Sequence, residues 1–129
     1  DVKVLIENVG LRTKNNVLFD LPEYVALFDI FPQAGALLDT GHAHVNGWDI
    51  PAVVKALGER LAACHVHDND GNGDAHLPVG QGDIDWKAYF GAVKKYAPQA
   101  TQVFEYCCGF NNTKDLEAHI AELKRNYKL

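Results

Sequence analysis

With 129 residues, 47% of them hydrophobic and 22% charged, the chain has the size and apolar content of one domain, or part of one, able to build a core. Its formal net charge of −5 excludes a nucleic-acid platform that works by bulk phosphate attraction, although a metal could still engage phosphate locally. No apolar run approaches the ~18 to 20 residues that span a bilayer, and nothing resembles a signal peptide.

Taken in chain order, the same pattern recurs four times. The β-rich run VKVLIEN (2–8) is followed by a loop and by the helical segment PEYVALFDIFP (22–32). GALLDTG (35–41) precedes DIPAVVKALGER (49–60), where Pro51 sits near a helix start and its missing N–H is harmless. LAACHVHD (61–68) leads through a long Gly/Asp loop to DIDWKAYFGAVKKYA (83–97), a helix that Asp83 or Asp85 can cap. TQVFEYCC (101–108) is followed by NTKDLEAHIAELKRNY (112–127), whose Leu116, Ile120, Leu123 and Tyr127 recur at helical spacing.

Nearly continuous apolar strands alternating with helices predict a parallel sheet covered by helices. The unit length of about 32 residues matches the ~31 per unit of a (β/α)8 barrel of ~250 residues. A doubly wound sheet would usually show a Gly-rich phosphate turn after an early strand, and IENVGLRTKNN is not one. The expectation is therefore a (β/α)4 half-barrel over residues 1–129 as a single domain. Starting at Asp1 without an initiator Met, the chain reads as an excerpt. The three cysteines, Cys64, Cys107 and Cys108, are an odd count with no CxxC. They predict a cytoplasmic protein and buried, inert thiols.

Each expected strand ends in an ionisable residue: Glu7, Asp39, His65 (with His67) and Glu105. Alternation puts Leu5 with Glu7, Leu37 with Asp39, His65 with His67 and Val103 with Glu105 on shared faces. A parallel β/α sheet gathers its strand C-termini on one rim, where barrel active sites are built. Several carboxylates gathered there repel one another, and a divalent cation resolves the conflict.

The loops extend the set. His42 lies three residues after Asp39, near the metal or the substrate, whereas His44 reads as a loop histidine. Asp74 and His76 form a D-x-H pair, in a loop that Gly80 and Gly82 allow to fold back over the rim. Asp68 and Asp70 read as turn formers, and His119 as a solvent-facing helical residue.

LIEN, LLDTGHAH, HVHDNDGNGDAHLPVGQGDIDW and FEY, in this order, resemble the strand-end motifs of the xylose isomerase-like TIM barrels. That superfamily includes sugar isomerases/epimerases and endonuclease IV-type AP endonucleases. The resemblance implies that the chain carries strands five to eight of the barrel. It implies one divalent metal (Mn, Mg, Co or Zn) on Glu7, Asp39, His65 and Glu105, with Glu7 and Glu105 also the acid/base pair. The implied reaction is proton transfer alpha to a carbonyl through a metal-stabilised enediolate. His42 and His67 are assigned to substrate contacts.

The AP endonuclease relatives imply the alternative, a zinc-dependent phosphodiesterase. There His42, Asp74 and His76 would form a second metal site; related lyases, dehydratases and non-catalytic members share the motifs. A half-barrel leaves two strand edges open, which predicts a homo-oligomer, such as a two-fold pair that completes the barrel. The implied partner is a small sugar or sugar-phosphate, with no membrane and no nucleic acid in the preferred reading. Activity of the half chain alone is not expected.

Overall fold

In the computed structural model, which describes residues 2–129, four strands lie side by side in chain order and all are parallel. They are β1 (Leu5–Glu7), β2 (Gly35–Asp39), β3 (Leu61–Val66) and β4 (Thr101–Phe104). The helices are α1 (Leu21–Ile30), α2 (Thr40–Val45), α3 (Ile50–Leu57), α4 (Trp86–Tyr96) and α5 (Thr113–Tyr127). The alternation expected from the sequence is thus realised as half of a TIM barrel.

Local chemistry starts every helix. Asp20 and Glu23 form a reciprocal capping box at α1, and Pro22 occupies its first turn. Asp49 accepts from the Ala52 N–H at α3, Asp85 from Ala88 at α4, and Asn112 from Asp115 at α5. Of the two candidate caps for α4, Asp85 holds the position. Asp83 instead lies 2.6 Å from His44 Nε2.

The expected strand over 35–41 is shorter in the structure, because α2 intervenes. The Asp39 carboxylate accepts the His42 N–H at 2.7 Å, so the last strand residue is also a helix cap. His44 consequently rides on α2 rather than on a loop.

Alternate residues of the strands face the helices. Ala36, Leu38, Cys64 and Val66 join Tyr24, Phe28, Val53, Val54, Tyr89, Phe90 and Leu123 in one core. The other face carries Leu37, His65 and Val103, and Val103 is exposed. Tyr24 ties the first two strands together, its hydroxyl lying 2.6 Å from Leu37 O and 3.0 Å from Ile6 O.

Register places the rim. Asp39 pairs with His65, so these two side chains leave the sheet at one level. Glu7 pairs with Leu37 and His65 with Val103, two positions short of Asp39 and Glu105 respectively. The stagger carries the ionisable residues along a slanted line, as strand tilt does in a barrel.

Candidate metal centre

His65 Nδ1 is the geometric focus of the rim. It lies 3.4 Å from Glu105 Oε2, 3.7 Å from Glu7 Oε1 and 3.8 Å from Asp39 Oδ2. All four strands therefore deliver a ligand-type side chain to one point, each at or next to its C-terminal end. Donor atoms of Glu7, Asp39 and His65 all fall within 4.8 Å of one another. Two carboxylate charges no more than 4.8 Å apart repel by at least about 3.5 kcal/mol at an effective dielectric of about 20. A mixed carboxylate and imidazole set of this kind fits a divalent cation, and the repulsion is what such an ion would remove.

Two uncharged residues hold this cluster in place, and sequence reading did not single them out. Asn8 clamps β1 to β2: its side chain donates to Asp39 O at 3.0 Å and accepts the Asp39 N–H at 2.7 Å. Thr40 Oγ1 lies 3.1 Å from His65 O and 3.0 Å from His67 O, and accepts the His67 N–H. The signal was present as the Asn after Glu7 and the Thr after Asp39. Polar residues that follow a ligand at a strand end are where backbone groups lose their ladder partners.

The D-x-H loop crosses the rim because Asp68 gathers it. This buried carboxylate accepts the N–H groups of Asn69, Gly80 and Ile84 and the Trp86 indole N–H, the last at 2.7 Å. Gly82 has to be glycine here, since a Cβ would run into Asn69 O and the Asp68 carboxylate. Gly80 supplies a left-handed φ of +88°. Asp68 is therefore the anchor of the whole loop. Asp70 keeps the turn role expected of it, accepting the Asn72 N–H, which lowers its pKa.

The loop sets Asp74 among three imidazoles. Asp74 Oδ2 lies 3.2 Å from His42 Nε2 and 3.1 Å from His76 Nε2, and Asp74 Oδ1 lies 3.7 Å from His67 Nδ1. His76 adopts a left-handed φ of 47°, and its ring stacks on that of His67 at 3.8 Å. His67 Nδ1 and Asp74 Oδ1 are both buried and without a hydrogen-bond partner. Two facing buried polar atoms left unsatisfied are costly, and a cation between them would satisfy both.

Electrostatics tie His42 to this arrangement. Burial works against its charge, but the hydrogen bond to Asp74 and the Asp39 charge prevail and raise its pKa to about 9. Asp74 is also penalised by burial, yet its contacts with His42 bring it down to about 2. His67 links the two clusters, with Nε2 3.0 Å from Asp39 Oδ2 and Nδ1 turned towards Asp74.

Several expectations need correction. His67, expected to contact substrate, is fully buried, with Nε2 3.0 Å from Asp39 Oδ2. His119 is half-buried rather than solvent-facing, 3.1 Å from the Tyr106 hydroxyl and packed against Phe110. Of the cysteines only Cys64 is buried, where desolvation pushes its thiol up to about 11. Cys107 and Cys108 are exposed, because the chain leaves the sheet after Phe104 and turns outward.

Parallel β/α units with ionisable side chains collected at the strand C-termini define a protein of the TIM-barrel class. More narrowly, the chain belongs to the xylose isomerase-like TIM barrel family, whose profile matches residues 1–126. The fold is similar to the crystal structure of a D-tagatose 3-epimerase-like protein, with a TM-score of 0.73 and 24% identity. That match covers 98% of this chain and 46% of the other.

Among curated relatives, the uncharacterized protein y4fM of Sinorhizobium fredii is 32% identical over 95 residues, 72% of this chain and 30% of that protein. The uncharacterized protein MJ1614 of Methanocaldococcus jannaschii is 36% identical over 97 residues, 73% of this chain and 36% of that protein. The match thus spans about a third of each curated relative.

Proposed function

We propose that this chain is the metal-binding half of a sugar or sugar-phosphate isomerase/epimerase, equivalent to strands five to eight of the barrel. Glu7, Asp39, His65 and Glu105 hold one divalent cation in this reading. The observation that carries it is the convergence of three carboxylates, each from a different strand or strand end, on His65 Nδ1. When bound, the cation polarises a substrate carbonyl and offsets the negative charge that grows on its oxygen.

The chain's own residues then divide the proton work. Glu7 and Glu105 come from opposite edges of the sheet and both reach the focal point. One takes the proton from the carbon alpha to the carbonyl and the other returns it. His42, partly open on the same rim, contacts the substrate; Asn8, Thr40 and His67 keep Asp39 and His65 in position. The strand edges of β1 and β4 await further strands, and a second copy of this chain could supply them; size-exclusion chromatography at micromolar concentration would show a dimer, and a well-folded monomer would refute pairing.

The unsatisfied His67 Nδ1 and Asp74 Oδ1, in a group that also takes in His76, favour a second cation at Asp74 and His76, with His42 Nε2 beside it at 3.2 Å from Asp74 Oδ2. That supports, as the second reading, a zinc-dependent phosphodiesterase acting on abasic nucleic acid.

Calorimetric titration of the chain with Mn2+ and Zn2+ tests the shared core. Glu7→Ala and His65→Ala should each lower affinity at least about tenfold, a ligand's worth of ~1.4 kcal/mol or more. Absence of any bindable divalent ion would refute both readings. Solvent deuterium uptake at the carbon alpha to a ketose carbonyl, catalysed by the full-length protein and abolished in Glu105→Gln, selects the isomerase. Cleavage of abasic DNA without such exchange selects the phosphodiesterase.

A further inference from the structure

Cys107 and Cys108 take no part in the chemistry above, yet the fold presents them together. Both thiols are exposed and their sulfurs lie 3.3 Å apart, although neighbouring side chains in an extended strand would point to opposite faces. The segment is held against the D-x-H loop. The Cys107 N–H donates to His76 O at 3.0 Å, and Cys107 Sγ lies 3.2 Å from Ala75 O. Gly109, at φ +98°, closes the turn against Pro78, where a Cβ would come within 2.6 Å of the proline ring. The third thiol, Cys64, is buried and cannot compete.

We propose that Cys107 and Cys108 form a vicinal dithiol site on the rim that captures one thiophilic trivalent arsenical across both sulfurs. An organoarsenic(III) oxide reacts without any oxidant. Two S–H bonds break and two As–S bonds form; the oxide oxygen leaves as water with both protons, and arsenic stays trivalent. A fold that already holds both sulfurs on one side removes much of the ordering cost of the second bond. Capture also consumes the Cys107 S–H that is available to Ala75 O. The loop bearing Asp74 and His76 thereby loses a tie.

Phenylarsine oxide added to the full chain under native conditions, read by intact mass, tests the site. One adduct per chain with loss of two thiol hydrogens is expected, mapped to 107–108 and reversed by a dithiol but not by an equivalent monothiol. Cys107→Ser and Cys108→Ser should each weaken capture about 100-fold, the advantage of an intramolecular second attachment. Cys64→Ser should leave it unchanged. Amide exchange across residues 74–76 should rise severalfold in the adduct. Single-cysteine variants that bind as tightly as the parent, two arsenicals per chain, or weaker capture by the folded chain than by the same chain in urea would each overturn the proposal, and unchanged exchange at 74–76 would overturn its link to the loop.

Discussion

Asp68→Ala isolates the residue that builds the loop over the rim. The carboxylate is fully buried and accepts four N–H groups, of which those of Asn69, Ile84 and the Trp86 indole are themselves buried. Each buried donor left unsatisfied costs about 1–3 kcal/mol, so these three alone would cost about 3–9. Removing a buried charge returns part of that, because the carboxylate no longer has to be desolvated. The net loss should be about 2–4 kcal/mol, a large share of the ~5–15 kcal/mol that holds an ordinary domain. In urea, with a slope near 1.5 kcal/mol/M, the midpoint would fall by about 1–3 M.

Unfolding followed by tryptophan fluorescence is a direct readout, since Trp86 donates its indole N–H to Asp68. Asp68→Asn keeps one acceptor oxygen but turns an NH2 towards the remaining donors, so it should fall between the wild type and the alanine variant. A loss below about 1 kcal/mol in Asp68→Ala would refute the anchor role, because solvent or a neighbour would then be satisfying the buried indole.

In the metal-free protein, the His42 ring protons should titrate by NMR with a midpoint near 9, and Asp74→Asn should lower it. Because the folded pKa lies above the unfolded ~6.5, the His42 contribution to stability is complete below about 6.5 and is lost as pH rises through about 9. Asp74 acts at the other end: its contribution is present above ~3.8 and disappears as pH falls towards about 2. A His42 midpoint near 6.5 would show that Asp74 and Asp39 do not hold its charge. Gly41→Ala tests the packing behind the ligands, since the added methyl would overlap the His67 ring. Thermal denaturation should show a loss of about 1–3 kcal/mol, and divalent affinity should drop as His67 is pushed off Asp39; no change in either measurement would refute the fixed placement of His67.

What the sequence revealed and what it hid follow from the range of the interactions. Strand runs, helix periods and Asp or Asn caps are local, so the four β/α units and the gathering of Glu7, Asp39, His65 and Glu105 were legible without coordinates. Even α2 had its signal, an Asp cap three residues before His42, but the same Asp39 also fitted a strand end. Non-local geometry was the hidden part. The burial of His67 depends on α2 folding back over β3, and alternation along one strand cannot distinguish an inward face open to substrate from one closed by a neighbouring turn.

The same limit explains Asp68 and the cysteines. A carboxylate with four N–H partners and one with a single partner look alike in sequence, and only the path of residues 69–86 separates Asp68 from Asp70. Cys64 is buried because its strand is central, whereas Cys107 and Cys108 lie past the end of an edge strand. That placement also makes the rim continuous. Glu105, the dithiol and the D-x-H loop are joined through His76, whose Nδ1 lies 3.1 Å from Glu105 O and whose carbonyl accepts the Cys107 N–H. Two hydrogen bonds through His76 thus separate Cys107 from Glu105, itself one of the carboxylates around His65.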